Sequence, residues 1–221
     1  MLANTEHPLM TVANLLHGRR ENPLLYLVYY GSRDLQTDID LLGVYKYEPN
    51  YYEYAIGRLD LFAVGFDQLK NLLRNHDPIA TEPLLTGELL QGDVHCWNEI
   101  KQDFLRSRPN SDSIYFLYAR AFESARAASA FIDRYAQTKC PVDHNTFWKN
   151  VSFAISYLLF ASLYTKGQFP LTFEQVRKGC SKLANAVNNL RVAKRSEKLT
   201  DTKAMEKALS DIRNKLAHPY Q

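Results

Sequence analysis

Apolar periodicity changes character once along this chain, near Gly65, and that change restricts it to a sheet followed by helices. Before Gly65 the apolar and aromatic residues come in short runs: Leu24 to Tyr30, ended by Gly31-Ser32; Asp38 to Tyr47, in part alternating; and Tyr51 to Val64, set off by Pro49-Asn50. Runs of this length, rich in branched and aromatic residues and separated by Gly, Pro and Asn, are strand and turn signals. Tyrosines such as Tyr29, Tyr30, Tyr45 and Tyr47 suit them, because aromatic rings pack well on a pleated surface. Beyond Gly65 the spacing turns helical, with Phe66, Leu69, Leu72 and Leu73, then Leu84, Leu85, Leu89 and Leu90, then Trp97 to Leu105. A short helix is also expected over Thr11 to Leu16.

The segment Arg108-Pro109-Asn110-Ser111-Asp112 is the strongest candidate boundary, since proline and short polar side chains end one helix and cap the next. After it the pattern predicts helices over Ser113 to Gln137, His144 to Lys166, Thr172 to Ala186 and Asp201 to Ala217, with a basic connection at Arg191 to Lys198. The expectation is an α+β chain. Residues 1–107 form a small mixed β-sheet domain, and residues 108–221 an all-α antiparallel helical bundle.

The net charge of +3 conceals an asymmetry between these halves. Met1 to Ser107 carries 9 Lys and Arg against 15 Asp and Glu, net −6, and Arg108 to Gln221 carries 18 against 9, net +9. A basic half favours a polyanionic partner such as RNA, although solvated basic helix faces give the same count. The uncharged stretch Val151 to Thr165 is shorter than the roughly 20 apolar residues a bilayer crossing needs and contains Ser152, Ser156 and Ser162. No membrane association is expected. The N-terminus has neither a basic start nor an apolar secretory core, so the expected location is cytoplasmic. Cys96, Cys140 and Cys180 are too scattered to pair as zinc ligands and are expected as reduced thiols. His76-Asp77, His95 and His144 form no catalytic spacing and are expected on the surface or in packing.

The most informative stretch is Tyr30-Gly31-Ser32-Arg33 followed by Thr37-Asp38-Ile39-Asp40-Leu41. On a strand, residues two apart share a face, so Asp38 and Asp40 project together while Ile39 and Leu41 enter the core. Two adjacent acids repel. A hard divalent cation such as Mg²⁺ relieves that cost, because it takes oxygen ligands and bridges carboxylates to phosphates. Asp60, between Leu59 and Leu61, reaches the same place if its strand is a neighbour. A turn or a solvated strand end is the bland alternative for the Asp pair.

Over roughly residues 12 to 105 this pattern resembles the nucleotidyltransferases of the polymerase-beta superfamily. These carry Gly-Ser at the end of one strand, Asp-x-Asp in the next and a third acid on a later strand. The resemblance implies a two-metal site in which Asp38 and Asp40 hold both Mg²⁺ ions, and Asp60 binds one and helps deprotonate the acceptor hydroxyl. It implies an NTP substrate, ATP first among them, with Gly31 and Ser32 at the triphosphate and Arg33 as a further phosphate ligand. Two metals suit in-line phosphoryl transfer because charge must be neutralised on the attacking and leaving oxygens together. One departure is plain: five residues separate Ser32 from Asp38, where the family has a longer insert.

The C-terminal stretch Arg213-Asn214-Lys215-Leu216-Ala217-His218-Pro219-Tyr220 places an Arg and a His five apart at a helix end. Cations there also favour the helix dipole, so capping is the simpler alternative. Over roughly residues 110 to 221 the segment resembles the HEPN family, helical domains with Arg, four to six residues, then His. That resemblance implies a homodimer through the helical domain and, in active members, metal-independent RNA cleavage. His218 would then move protons, and Arg213 would stabilise phosphate charge. Tyr220 matches the variant in toxins paired with minimal nucleotidyltransferase antitoxins, where that tyrosine receives AMP.

The expected activity is therefore nucleoside monophosphate transfer to a protein tyrosine or an RNA end, in a toxin-antitoxin or defence setting. A small-molecule acceptor, as in aminoglycoside nucleotidyltransferases, is the first alternative. A non-catalytic nucleotide-binding module regulating a HEPN ribonuclease is the second.

Overall fold

The computed structural model describes residues 22–31, 39–49, 53–56, 59–170, 172–195 and 202–217. The chain divides into two compact units, Met1–Arg108 and Pro109–Gln221.

Among the described residues the first unit is built on a five-stranded mixed sheet. Its strands are β1 (Leu24–Tyr30), β2 (Ile39–Tyr45), β3 (Glu53–Ile56), β4 (Leu59–Gly65) and β5 (Glu88–Gln91), in the spatial order β3-β4-β2-β1-β5. β1 pairs antiparallel with both β2 and β5, whereas β2 and β4 run parallel. Leu27, Val28, Leu41, Leu42, Val44, Ala63 and Val64 are fully buried, so the strands are apolar on both faces. One face carries a cluster of Leu24, Leu27, Leu41 and Leu61, joined by Ile39, Leu59 and Leu90.

Among the described residues three helices accompany this sheet: α1 (Phe66–Arg74), α2 (Pro78–Thr86) and α3 (Val94–Arg106). α1 buries Leu69, Leu72 and Leu73 at the spacing that makes one face of a helix. Asp77 caps α2 by accepting from Ile79 N at 3.0 Å, and Asp93 caps α3 by accepting from His95 N and Cys96 N. Tyr26 packs its ring against Phe66 and Trp97, which seats α1 and α3 on the face opposite the leucine cluster.

The second unit is helical, with α4 (Ser111–Thr138), α5 (Pro141–Thr165), α6 (Phe173–Lys178), α7 (Ser181–Arg195) and α8 (Thr202–Ala217). Asn110 and Ser113 form a reciprocal capping box that starts α4, and Lys139, in the left-handed region at φ 54°, ends it. Leu117, Ala121, Ala125, Ala128, Ile132 and Tyr135 recur every three or four residues and form its buried seam. Leu117 and Ala121 cluster with Tyr157, Phe160 and Tyr164, while Ile132 and Tyr135 cluster with Phe147 and Trp148, so α4 and α5 pack antiparallel. Met205, Leu209 and Ile212 of α8 complete the core at the hairpin end.

The α+β architecture is as the periodicity indicates, and four details differ. Tyr51 to Val64 is not one strand: β3 and β4 are two antiparallel strands with Ile56 opposite Leu59. Leu89 and Leu90 belong to β5 rather than continuing α2, because the edge of β1 supplies a pairing partner. The segment expected as one helix over Thr172 to Ala186 is two, broken at Gly179 and Cys180. α7 runs on through Arg191 to Arg195, into the stretch expected as a connection. The short helix expected at Thr11 to Leu16 lies outside the described residues. Among the described residues no helix is long and apolar enough to cross a membrane.

Candidate active site

The sheet register sets three polar side chains in one row. Directly opposed residues on neighbouring strands point to the same face, and the register pairs Tyr30 with Asp40 and Asp40 with Asp60. Neighbouring strands lie about 4.8 Å apart, so the two carboxylates stand side by side. Their flanking residues go the other way: Ile39, Leu41, Leu59 and Leu61 enter the leucine cluster, which fixes which face the acids take.

Burial falls off along β2 toward this row. Val44 and Leu42, on the same face as Asp40, are fully buried, whereas Asp40, Asp60 and Tyr30 are half-buried and Gly31 is exposed. The row thus lies where the sheet emerges from its core, at the start of β2 and β4 and the end of β1. Gly31 adopts φ +84°, and a Cβ built on it would collide with Asp40 Oδ2 and lie 3.3 Å from Asp40 Cγ.

Asp40 and Asp60 supply hard carboxylate oxygens from adjacent strands, the donor chemistry that Mg²⁺ takes. Among the described residues no group of three or more His, Cys, Asp or Glu is placed to hold a metal ion. Ser32, Arg33 and Asp38, the remaining candidates for this end of the sheet, lie outside the described residues.

In the second unit Arg213 is exposed on α8, and its Nη2 donates to Ser129 Oγ of α4 at 2.7 Å. His218 and Tyr220 lie outside the described residues. The other histidines among the described residues divide by environment. His95 is exposed, 3.3 Å from Glu99. His76 is buried against the Phe104 ring, with Nε2 3.2 Å from Ser107 Oγ, and burial pushes its pKa down to about 4. His144 is buried between Tyr135 and Trp148, whose Nε1 donates to His144 Nε2 at 3.1 Å, and burial lowers its pKa too. Both are packing residues. Cys96, Cys140 and Cys180 form no disulfide.

Two neighbours were not foreseen in the sequence. Tyr30 reads in the sequence as a packing residue, yet its register puts it beside Asp40; its place directly before Gly31 is the available signal. Ser129, the partner of Arg213, is 84 positions away and carried no signal at all.

No protein-family model matches the chain, and no curated protein matches it. Among solved structures it is similar to a nucleotidyltransferase-like protein from Exiguobacterium sibiricum 255-15, at 16% identity and a TM-score of 0.37, over 88% of this chain and 69% of that one. A likeness at that level assigns no residue a role.

Proposed function

We propose that the chain is a Mg²⁺-dependent nucleotidyltransferase, moving a nucleoside monophosphate from an NTP, ATP first among them, to a hydroxyl acceptor. The observation that carries this reading is the in-register placement of Asp40 beside Asp60 at the emergent end of the sheet. Two acids on one face, next to a glycine that brings backbone close, suit a cation and a phosphate better than they suit a core. Asp38, Asp40 and Asp60 are the residues assigned to hold the ions, and Gly31, Ser32 and Arg33 to receive the triphosphate. Bound divalent ions supply neutralisation of charge on the attacking and leaving oxygens.

The reaction balances simply. The acceptor oxygen bonds to the α-phosphorus, the bond from that phosphorus to the bridging oxygen breaks, and pyrophosphate leaves. The hydroxyl proton passes to a carboxylate, a role assigned to Asp60, or to solvent. The acceptor assigned is a protein tyrosine, Tyr220 included, or an RNA end, in keeping with the +9 charge of residues 108–221. A small molecule is the alternative acceptor. Incubation with α-labelled NTPs and a panel of acceptors, with mass detection of products, tests the reading. Transfer that is lost in Asp40→Ala supports it, and transfer undiminished in that variant rules it out.

A second reading concerns the helical unit, where the exposed guanidinium of Arg213 is held by Ser129. With His218 it would serve RNA cleavage without metal, by a homodimer. That reading requires wild-type protein to cut RNA in EDTA and His218→Ala not to.

A further inference from the structure

Among the described residues three glycines have positive φ: Gly31 at +84°, Gly92 at +122° and Gly167 at +70°. Their surroundings differ. A Cβ on Gly167 would meet nothing within 4 Å, and one on Gly92 would meet Leu25 O and the Tyr26 ring. At Gly31 the three nearest atoms to that Cβ all belong to Asp40, namely Oδ2, Cγ and Cβ. The space that a side chain at position 31 would take is filled by a carboxylate.

The cause lies in the register. Tyr30 is the last residue of β1 and stands opposite Asp40, so the chain leaves the sheet at Gly31 directly beside that acid. In the register Asp40 stands between Asp60 on one side and Tyr30 on the other. Its carboxylate therefore lies against the backbone of Gly31, where only hydrogen offers room.

We propose that Gly31 is a positioning residue for the Asp40 carboxylate, keeping open the one conformation from which Asp40 shares a divalent cation with Asp60. The proposal rests on the nucleotidyltransferase reading for its cation, but not for its geometry. Gly31 acts by lacking a side chain, and the group that approaches it is a ligand of the metal rather than, or before, the triphosphate. Any Cβ at position 31 displaces the carboxylate and misaligns its oxygens, and loss of a group that orients a metal ligand lowers metal affinity by about 10- to 100-fold.

The test has two arms, both on the full chain. The first is a double-mutant cycle of urea midpoints for Gly31→Ala, Asp40→Ala and the pair. Backbone strain from positive φ persists in both backgrounds, whereas the collision with Asp40 disappears once Asp40 is Ala. The midpoint is therefore expected to fall less on Gly31→Ala in the Asp40→Ala background than in wild type, and additive shifts overturn the proposal. Should Gly31→Ala fail to fold, Gly31→Asn, a residue that tolerates positive φ, takes its place in the cycle. Failure of Gly31→Asn in both backgrounds overturns the proposal.

The second arm is Mn²⁺ titration followed by electron paramagnetic resonance. Gly31→Ala is expected to weaken Mn²⁺ binding about 10- to 100-fold, while Gly167→Ala, equally strained but in open space, leaves it unchanged. Equal affinity in wild type and Gly31→Ala overturns the proposal. Absence of Mn²⁺ binding in wild type would remove the nucleotidyltransferase reading and the cation with it, and the unfolding cycle would still decide whether Gly31 positions Asp40.

Discussion

Asp40 and Asp60 are partners in the parallel pairing of β2 with β4, so two carboxylates from strands separated in the chain by β3 occupy adjacent places on one face of the sheet. Like charges opposed across strands are destabilising, and a fold that keeps such a pair at a half-buried position sacrifices stability there. Asp60→Asn is accordingly expected to raise the stability of the metal-free protein by about 0.5 kcal/mol while abolishing label transfer. Mg²⁺ should stabilise wild type, by about 2.7 kcal/mol at a hundred times its dissociation constant, and should do little for the variant. Chemical denaturation with and without Mg²⁺ measures both. A variant that is less stable and equally responsive to Mg²⁺ would count against the shared cation.

His76 gives the first unit a dependence on pH. Burial pushes its pKa from the ordinary value of 6.5 down to about 4. The unfolded chain takes up a proton below about 6.5 that the folded chain refuses until about 4. The stability present above pH 6.5 is therefore lost as pH falls through that window, by on the order of 2 kcal/mol after allowing for solvent screening. His76→Asn, which tolerates the positive φ of 52° at this position, should flatten the profile between pH 7 and 4.5. Urea unfolding at the two pH values provides the check, and an unchanged slope in the variant would assign the dependence to other groups.

Ala128 is fully buried in the seam of α4, where the two long helices of the second unit meet. Ala128→Leu should overpack this contact and lower stability by about 1–3 kcal/mol, without loss of helix content by circular dichroism. A neutral result would show that the α4 and α5 hairpin has slack the packed cluster does not suggest.

Arg213 and Ser129 tie α8 to α4 at an exposed position. Each of Arg213→Gln and Ser129→Ala should cost about 1 kcal/mol or less, and the double variant little more than either. Additive losses would show that the two residues act separately. If the helical unit cuts RNA, Arg213→Gln should abolish cleavage while Ser129→Ala only reduces it.

How much of this was readable in advance depended on whether a feature is local. The two-residue spacing between Asp38 and Asp40, and the leucines flanking Asp60, were visible because side-chain alternation on a strand is a property of adjacent residues. That Asp60 lies beside Asp40 was conditional on strand order, since it requires β3 to sit at the edge and β4 to lie between it and β2. β5 was hidden for another reason. Leu84, Leu85, Leu89 and Leu90 satisfy helical spacing as a set, and a four-residue strand adds no periodicity of its own. The boundary at Arg108 to Asp112 was legible because it is a local pattern, although the helix begins at Ser111 rather than Ser113, and the Arg213 contact to Ser129 was not, because it joins two helices distant in the chain.

Crystals soaked in Mn²⁺ and an unreactive ATP analogue, with anomalous difference maps, probe the central claim most directly. The account requires an anomalous peak within coordinating distance of the carboxylates of both Asp40 and Asp60, and its loss in Asp40→Ala. A nucleotide bound elsewhere, or Mn²⁺ that leaves either carboxylate untouched, would contradict it.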